Sequence, residues 1–150
     1  MELKDVLDER ISHFSLDAKD KDDALRKMSA MLLHEGYITD LDEFVQDIYE
    51  REKLGLTGIG DKIAIPHGKS ESVQKIGIAI AKLKEEIEWE SIDDDKVNLI
   101  FLFCVSCDTE YARNHLLLLS EVARKLGNED AILKLRNANT FEEVYTVFCS

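Results

Sequence analysis

The run Leu-Ile-Phe-Leu-Phe at residues 99–103 is apolar at every position. Ile76, Ile78 and Ile80 alternate with small residues, so residues 76–81 are also apolar on both faces. Strands without a polar face are usually covered on both sides, as in sheets that lie between layers of helices. These two segments therefore predict a central sheet with helices on both of its faces.

Helical patterns lie before and after these strands. Two segments with apolar residues at helical spacing follow the N-cap candidates Asp20 and Asp40. Near the C-terminus, residues 116–126 form an apolar helical face, and Thr140 with Glu143 has the spacing of a capping box. Further short strands are predicted at residues 11–16 and 63–65, and residues 57–60 read as a turn.

The length and composition describe one globular unit. A chain of 150 residues with 45% apolar and 33% charged residues fits a single domain over residues 1–150. The predicted fold class is α/β, a single-domain sandwich with a central mixed β-sheet flanked by helices on both faces. No apolar run approaches the roughly 18 residues of a membrane span, and the charged N-terminus does not resemble a secretory signal. We therefore expect a cytoplasmic protein without direct membrane insertion.

The charge balance narrows the possible partners. Nineteen basic against 31 acidic residues give a formal net charge of −12. Nucleic-acid binding is not expected, because it usually requires a basic surface. A strongly acidic chain suits a partner with a positively charged face, since opposite fields accelerate encounter. Simple solubility explains the same charge, and composition does not choose between the two.

His67 is the first candidate for chemistry. It follows a predicted short strand and Pro66, and it precedes Gly68. Proline fixes its own φ and favours an extended residue before it, and glycine permits tight backbone geometry and leaves room beside the imidazole. The ring would then project from a stiff turn where a partner can reach it. From these residues alone, a surface histidine that happens to follow a proline is an equally good interpretation.

Several motifs along the chain together resemble the fructose/mannitol type of enzyme IIA of the phosphotransferase system. The motifs are Arg51-Glu52, Thr57-Gly58-Ile59-Gly60, Ile63-Ala64-Ile65-Pro66-His67-Gly68, Ile87-Glu88-Trp89, His115-Leu116 and Thr140-Phe141-Glu142-Glu143-Val144. They cover nearly the whole chain, and the Ala-Ile-Pro-His-Gly run with an upstream Arg-Glu is specific.

This resemblance implies a phosphohistidine relay. Such domains accept a phosphoryl group from the phosphocarrier HPr and pass it to a cysteine of an enzyme IIB domain, whose membrane permease partner IIC phosphorylates the incoming sugar. We expect the chain to be a phosphotransferase of this kind that serves the uptake of a fructose-like sugar, although mannitol-like and galactitol-like systems share the signature. The alternative is a regulatory protein of the nitrogen-related branch, whose phosphorylation state controls partner proteins.

The resemblance also implies roles for four residues. The phosphorylated histidine of the family falls on His67, its second active-site histidine on His115, its arginine on Arg51, and its phosphate-binding hydroxyl on Thr57. These residue types suit the chemistry, because imidazole is a nucleophile near neutral pH and guanidinium offers a rigid charged fork for phosphoryl oxygens. The scheme needs no metal and no cofactor. Without the resemblance, Arg51 could merely complement a helix dipole, and His115 could be a packing or capping residue.

Two departures and one further motif complete the pattern. Leu56 stands where the family often has a small hydroxyl residue, and Lys62 where glycine is common, which could alter the loop and its docking surface. Cys104 and Cys107 have the spacing of redox or zinc pairs. No second pair accompanies them, and Cys104 ends a predicted buried strand rather than opening a helix, so we interpret them as structural thiols.

Overall fold

The computed structural model describes residues 2–149, apart from the side chains of residues 109–112, 114 and 115. A 3-10 turn (Leu3–Asp5) precedes the strands and helices of this part of the chain. In chain order these are β1 (Leu7–Leu16), α1 (Lys21–His34), α2 (Leu41–Glu52), β2 (Gly58–Gly60), β3 (Ile63–Ala64), β4 (His67–Ser70), β5 (Gly77–Ile87), β6 (Val97–Ser106), α3 (Thr109–Leu126), α4 (Glu129–Asn137) and α5 (Phe141–Cys149).

The strands form one mixed sheet. Its order is β1-β5-β6-β3-β2, and β4 pairs with the same edge of β6 as β3. The central pair β5 and β6 is antiparallel, whereas β1 is parallel to β5, and β3 and β4 are parallel to β6. The two apolar segments of the sequence lie in β5 and β6, so the predicted central mixed sheet is confirmed.

Helices cover both faces of this sheet. Alternate residues of β6 enter two different cores, because successive side chains of a strand point to opposite faces. Ile100 and Leu102 pack with α1 and α2, whereas Leu99 and Phe101 pack with α3, α4 and α5. Burial of each such side chain contributes roughly 1.5–3 kcal/mol relative to an exposed one. The predicted α/β sandwich is therefore confirmed. Within the part of the chain that is described, no helix is both long and apolar enough to cross a bilayer.

The predicted caps begin the predicted helices. The carboxylate of Asp20 accepts a hydrogen bond from the backbone N–H of Asp23 at 2.8 Å, and Asp40 accepts one from Glu43 at 3.0 Å. Each bond satisfies one of the N–H groups that the first turn of a helix leaves without an internal partner. Thr140 accepts a bond from the N–H of Glu143 at 3.2 Å in the same way.

The structure corrects the sequence analysis at the β2–β3 segment. Gly58–Gly60, predicted as a turn, forms β2 and pairs antiparallel with β3. The turn lies one step later, at Asp61 and Lys62, whose φ angles are 55° and 64°. Two successive residues with positive φ match the right-handed twist of the strands they connect. The glycines therefore belong to the hairpin strand, and two non-glycine residues make its turn.

The pairing of β3 and β4 with β6 also differs from the prediction. The strand was expected to end at Pro66, with His67 in the turn after it. Instead, β4 resumes at His67, which pairs with Phe103 in the register that β3 has already set. Pro66 has no N–H to donate, but its carbonyl accepts a hydrogen bond from the N–H of Phe103 at 2.9 Å. His67 is thus the first residue of a strand.

Gly68 is the point where α2 approaches this strand most closely. A Cβ atom at Gly68 would lie 2.2 Å from Cζ of Phe44, which belongs to α2 and is fully buried. No real side chain tolerates such a distance, so the aromatic ring occupies the space that a side chain would need. The room left by this glycine is used by Phe44 on the α2 face of the sheet, rather than beside the imidazole as the sequence suggested.

We expect Gly68→Ala to lower the free energy of unfolding by about 1–3 kcal/mol, because the new methyl group overpacks the α2 interface. Urea denaturation measures this change. Gly127→Ala is the matched control, since its Cβ would lie 3.4 Å from the carbonyl oxygen of Ala123, within ordinary contact. Equal stabilities of the two variants would contradict the close approach.

Candidate functional site

His67 is held against the sheet by a neighbouring ring. Its imidazole stacks on Phe103, with centroids 4.9 Å apart and an interplanar angle of 17°. Phe103 belongs to the core formed with α3, α4 and α5, so the imidazole lies on that face of the sheet. The residue is only 8% exposed, and its Nδ1 atom is shielded from solvent. The expectation that the ring projects from a turn is therefore wrong, because His67 begins a strand and stacking on Phe103 holds the ring against the sheet.

Arg51 lies in the last turn of α2. It is half-buried, and its Nη1 donates to the carbonyl oxygen of Gly55 at a long 3.4 Å. Arg51 is seven residues after Phe44, so the two share one face of the helix. That face packs on β4 through Gly68. The helix therefore carries Arg51 on the side of the β4 strand, at a position that also suits the helix dipole.

Thr57 is fully buried and its hydroxyl is engaged twice. Oγ1 donates to Oε1 of Glu52 at 3.0 Å and accepts a bond from Nε1 of Trp89 at 3.0 Å. The backbone carbonyl of Thr57 accepts from the N–H of Ile65 at 2.9 Å. Because the single hydroxyl proton is directed at Glu52, a contact to phosphate would require this bond to be exchanged. The phosphate-binding role of Thr57 stays a prediction.

The predicted second histidine belongs to α3. The side chain of His115 lies outside the described residues, so its predicted role stays a prediction. What the structure shows is the position of the helix itself: Leu118 and Val122 of α3 are buried in the same core as Phe103. The helix whose sequence contains His115 thus covers the sheet face on which the His67 ring lies.

The two departures from the family pattern lie in the segment between α2 and β3. Leu56 is exposed, as is its neighbour Leu54. Lys62 has a left-handed backbone that glycine adopts at lower cost. Its amine contacts Glu86 at 2.7 Å and Asp95 at 3.1 Å. The hydrogen bonds that the amine donates to these carboxylates raise the pKa of Lys62, and they hold the strained residue in place.

Three residues around Thr57 received no role from the sequence, although Glu52 and Trp89 stand in the family motifs. Glu52 accepts from Thr57 and pairs with Lys21, and the amine of Lys21 lies 4.8 Å from the ring centre of Trp89. The only available signals were the position of Glu52 beside Arg51 and the single tryptophan of the chain. Neither signal identifies Lys21, because the three residues come from separate segments that only the fold brings together.

Cys104, the first cysteine of the pair, is a buried thiol. All three cysteines are free, and Cys104 is fully buried with its thiol 3.6 Å from the carbonyl oxygen of Lys75. Burial raises the pKa of Cys104 to about 12, so its thiolate is not populated near neutral pH. Among the side chains that the structure describes, no three His, Cys, Asp or Glu residues gather as ligands of a metal ion would.

The fold and these motifs define a protein of the enzyme IIA type, and comparison with known families agrees. The model of the family described as phosphoenolpyruvate-dependent sugar phosphotransferase system, EIIA 2, matches residues 5–150. The chain belongs to this family. The resemblance inferred from the motifs is therefore confirmed, as is the prediction that the chain is a phosphotransferase component of the EIIA type.

Relatives of two kinds share this similarity. A nitrogen regulatory protein of Klebsiella oxytoca is 32% identical over 149 residues, which cover 98% of this chain and 90% of that protein. The crystal structure of nitrogen regulatory protein IIA-Ntr from Neisseria meningitidis matches with a TM-score of 0.85 at 25% identity, over 96% of this chain and 97% of that chain. The 2-O-alpha-mannosyl-D-glycerate-specific EIIABC component of Escherichia coli strain K12 is 29% identical over 125 residues, or 83% of this chain.

The lengths of these relatives differ greatly. The chain spans 19% of the Escherichia coli EIIABC component, so it is similar to one part of that longer protein. By contrast, it spans nearly all of the two nitrogen regulatory proteins. The relatives thus include both a sugar-specific transport component and nitrogen regulatory proteins, so they show the family but not which of these two roles the chain has.

We expect Thr57→Val to lower the free energy of unfolding by about 1–3 kcal/mol, because it leaves Trp89 without an acceptor in a buried site. Thr57→Ser keeps the hydroxyl and is expected to lose less. Urea denaturation followed by the fluorescence of Trp89 measures both variants. A valine variant as stable as the wild-type protein, or a serine variant as unstable as the valine one, would contradict the hydroxyl network.

Proposed function

We propose that this chain carries a phosphoryl group on His67, accepts it from phospho-HPr, and passes it to a cysteine of an enzyme IIB partner. Two observations together support the proposal. The family match spans residues 5–150, and the histidine of the family motif is the first residue of β4, where stacking on Phe103 fixes its ring.

The environment of His67 favours one of its two nitrogens. Nδ1 is shielded from solvent, so Nε2 is the atom left to meet a donor. The lone pair of Nε2 attacks phosphorus while the bond from phosphorus to the donor breaks, and the same steps in reverse deliver the group to the acceptor cysteine. Imidazole suits both directions, because it is a nucleophile near neutral pH and a reasonable leaving group. Stacking orients the ring before the reaction, which lowers the entropic cost of transfer.

Charge stabilisation is the second requirement of this chemistry. The transition state of phosphoryl transfer spreads negative charge over oxygens and depends on positioned donors more than on covalent help. We assign Arg51 to this role, because the resemblance implies it, the residue shares the α2 face that packs on β4, and its one described hydrogen bond is long. His115 and Thr57 are proposed as further donors, as the resemblance implies.

The chain's relatives allow two downstream roles. Transfer to IIB for uptake of a sugar, with a fructose-like sugar as our first choice and a IIC permease as the final user, is supported by the sequence signature and by the similarity to an EIIABC component. A regulatory role is supported by the nearly full-length match to nitrogen regulatory proteins. Both roles require the same phosphohistidine.

We expect the wild-type protein to take up one phosphoryl group per chain when it is incubated with phosphoenolpyruvate, enzyme I and HPr. The adduct should be labile in acid and stable in base, as expected for a nitrogen–phosphorus bond, and His67→Ala should abolish it. Radiolabelled phosphate and mass spectrometry measure the uptake. His34→Ala is the control, because His34 is exposed and contacts only its neighbour Glu35 among the described residues. Uptake by the His67 variant at the wild-type level would refute the proposal.

A chase distinguishes the two roles. If the chain serves sugar uptake, its phosphoryl group should move to a purified fructose-type IIB domain and change from acid-labile to the different stability of a phosphocysteine. A IIB variant with serine in place of the acceptor cysteine should receive none. Retention of the group on His67 in the presence of every sugar-specific IIB tested would exclude the uptake role and leave the regulatory one.

A further inference from the structure

Glu52 is a charged group in an unusual place. Its side chain is only 10% exposed. Oε1 accepts from the hydroxyl of Thr57 at 3.0 Å, while Oε2 touches neither solvent nor any hydrogen-bond donor of the described residues. An ionised carboxylate in such surroundings is unfavourable unless a cation compensates it. The carboxylate of Glu52 therefore requires a cation close to it.

Lys21 supplies the compensating charge. Its side chain is 16% exposed, and its amine lies 2.5 Å from Oε1 of Glu52 and 3.1 Å from Oε1 of Glu90. The same amine lies 4.8 Å from the ring centre of Trp89, a distance at which a cation is attracted to an aromatic face. One ammonium group thus joins α1, the end of α2 and the segment that follows β5.

Each charge of this ion pair interacts unfavourably with the dipole of the helix that carries it. Lys21 is the first residue of α1, and Glu52 is the last residue of α2. A helix favours negative charge at its N-terminus and positive charge at its C-terminus, so both side chains oppose the dipole of the helix that carries them. The local preferences of the two helices do not explain the pair, whereas the connection it makes between segments does.

Hydrogen bonds connect this ion pair to the backbone close to His67. Glu52 binds Thr57, and the carbonyl of Thr57 binds the N–H of Ile65, two residues before His67. The next residue, Gly58, donates its N–H to the carbonyl of Glu90 at 3.1 Å. Glu52 is also the direct neighbour of Arg51 in the last turn of α2. The ion pair therefore joins the helix end that carries Arg51 to the backbone that leads into His67.

We propose that Lys21 is a positioning residue of the phosphoryl-transfer site: by compensating Glu52, it holds the end of α2 and the Thr57 backbone in a fixed arrangement around His67. The inference rests on the proposed function of His67. Lys21 touches no reacting atom, so its effect is on the geometry of transfer rather than on the affinity for the donor. Loss of its charge leaves Glu52 buried without compensation, and the Thr57 segment must move to let water reach the carboxylate.

Lys21→Met tests this role, because methionine keeps much of the side-chain volume and removes the charge. We expect kcat for phosphoryl uptake from phospho-HPr to fall about tenfold with an unchanged KM. Native-state hydrogen exchange should accelerate about tenfold at the amides of Gly58 and Ile65, beyond any change at the amide of Ala79 in β5. Lys27→Met on the same helix is the matched control, since Lys27 pairs with Asp23.

Two further variants separate positioning from general stability. Lys21→Arg keeps the charge and should restore most of the rate. The double variant Lys21→Met/Glu52→Gln removes the buried charge together with its partner but keeps an acceptor for Thr57, so it should exchange and transfer more like the wild-type protein than Lys21→Met alone. A double variant no better than the single one would show that Lys21 does not act through the charge of Glu52.

The readouts also separate this inference from the proposed function. If Lys21→Met and Lys27→Met give the same exchange at Gly58 and Ile65, the positioning role is refuted whether or not phosphate is carried. If exchange accelerates but Lys21→Met accepts phosphate at the wild-type rate, the role in transfer is refuted. If the wild-type protein accepts no phosphate, the function of His67 is refuted, and the role of Lys21 in transfer is refuted with it.

Discussion

The parallel pairing of β3 and β4 with β6, continued in one register across Pro66, is the constraint on which the site depends. Since successive residues of a strand face opposite sides of a sheet, this register places the ring of His67 against Phe103 on one face. The same register turns Gly68 towards Phe44 on the other face. The backbone of β4 therefore orients the histidine on one face and, on the other face, lets α2, the helix that carries Arg51, pack closely against Gly68.

Around this backbone the molecule keeps two features that are unfavourable by themselves. Glu52 is a buried carboxylate opposed to the dipole of its helix, and Lys62 has a left-handed backbone. Each is compensated by a contact from a distant segment: Lys21 pairs with Glu52, and the carboxylates of Glu86 and Asp95 hold Lys62. Strain and buried charge of this kind are typical of functional sites, where surrounding structure over-determines the local geometry. Glu52 lies at the end of α2, before the β2–β3 hairpin, and Lys62 lies in the turn of that hairpin.

The sequence predicted those elements that have a periodic apolar pattern or a characteristic residue type. Full burial gave β6 an unbroken apolar run, and the N-cap bonds of Asp20 and Asp40 followed from their residue types. Strand β4 was not predicted, because its sequence, His-Gly-Lys-Ser, has neither an apolar run nor an alternation of apolar and polar residues. Family motifs predicted His67 as the phosphorylated residue, but they did not indicate that its ring is largely buried, because Phe103 is far away in sequence. The link from Lys21 to Glu52 was equally hidden, since only the packing of α1 beside α2 brings the two residues together.

NMR of the phosphorylated protein with nitrogen-15 in its histidines tests most directly whether Nε2 of His67 carries the phosphoryl group. Long-range proton–nitrogen correlations report which nitrogen of which ring is phosphorylated. We expect phosphorylation to change Nε2 of His67, because Nδ1 is shielded from solvent. A phosphoryl group on Nδ1 of His67, or on any other residue, would contradict this expectation.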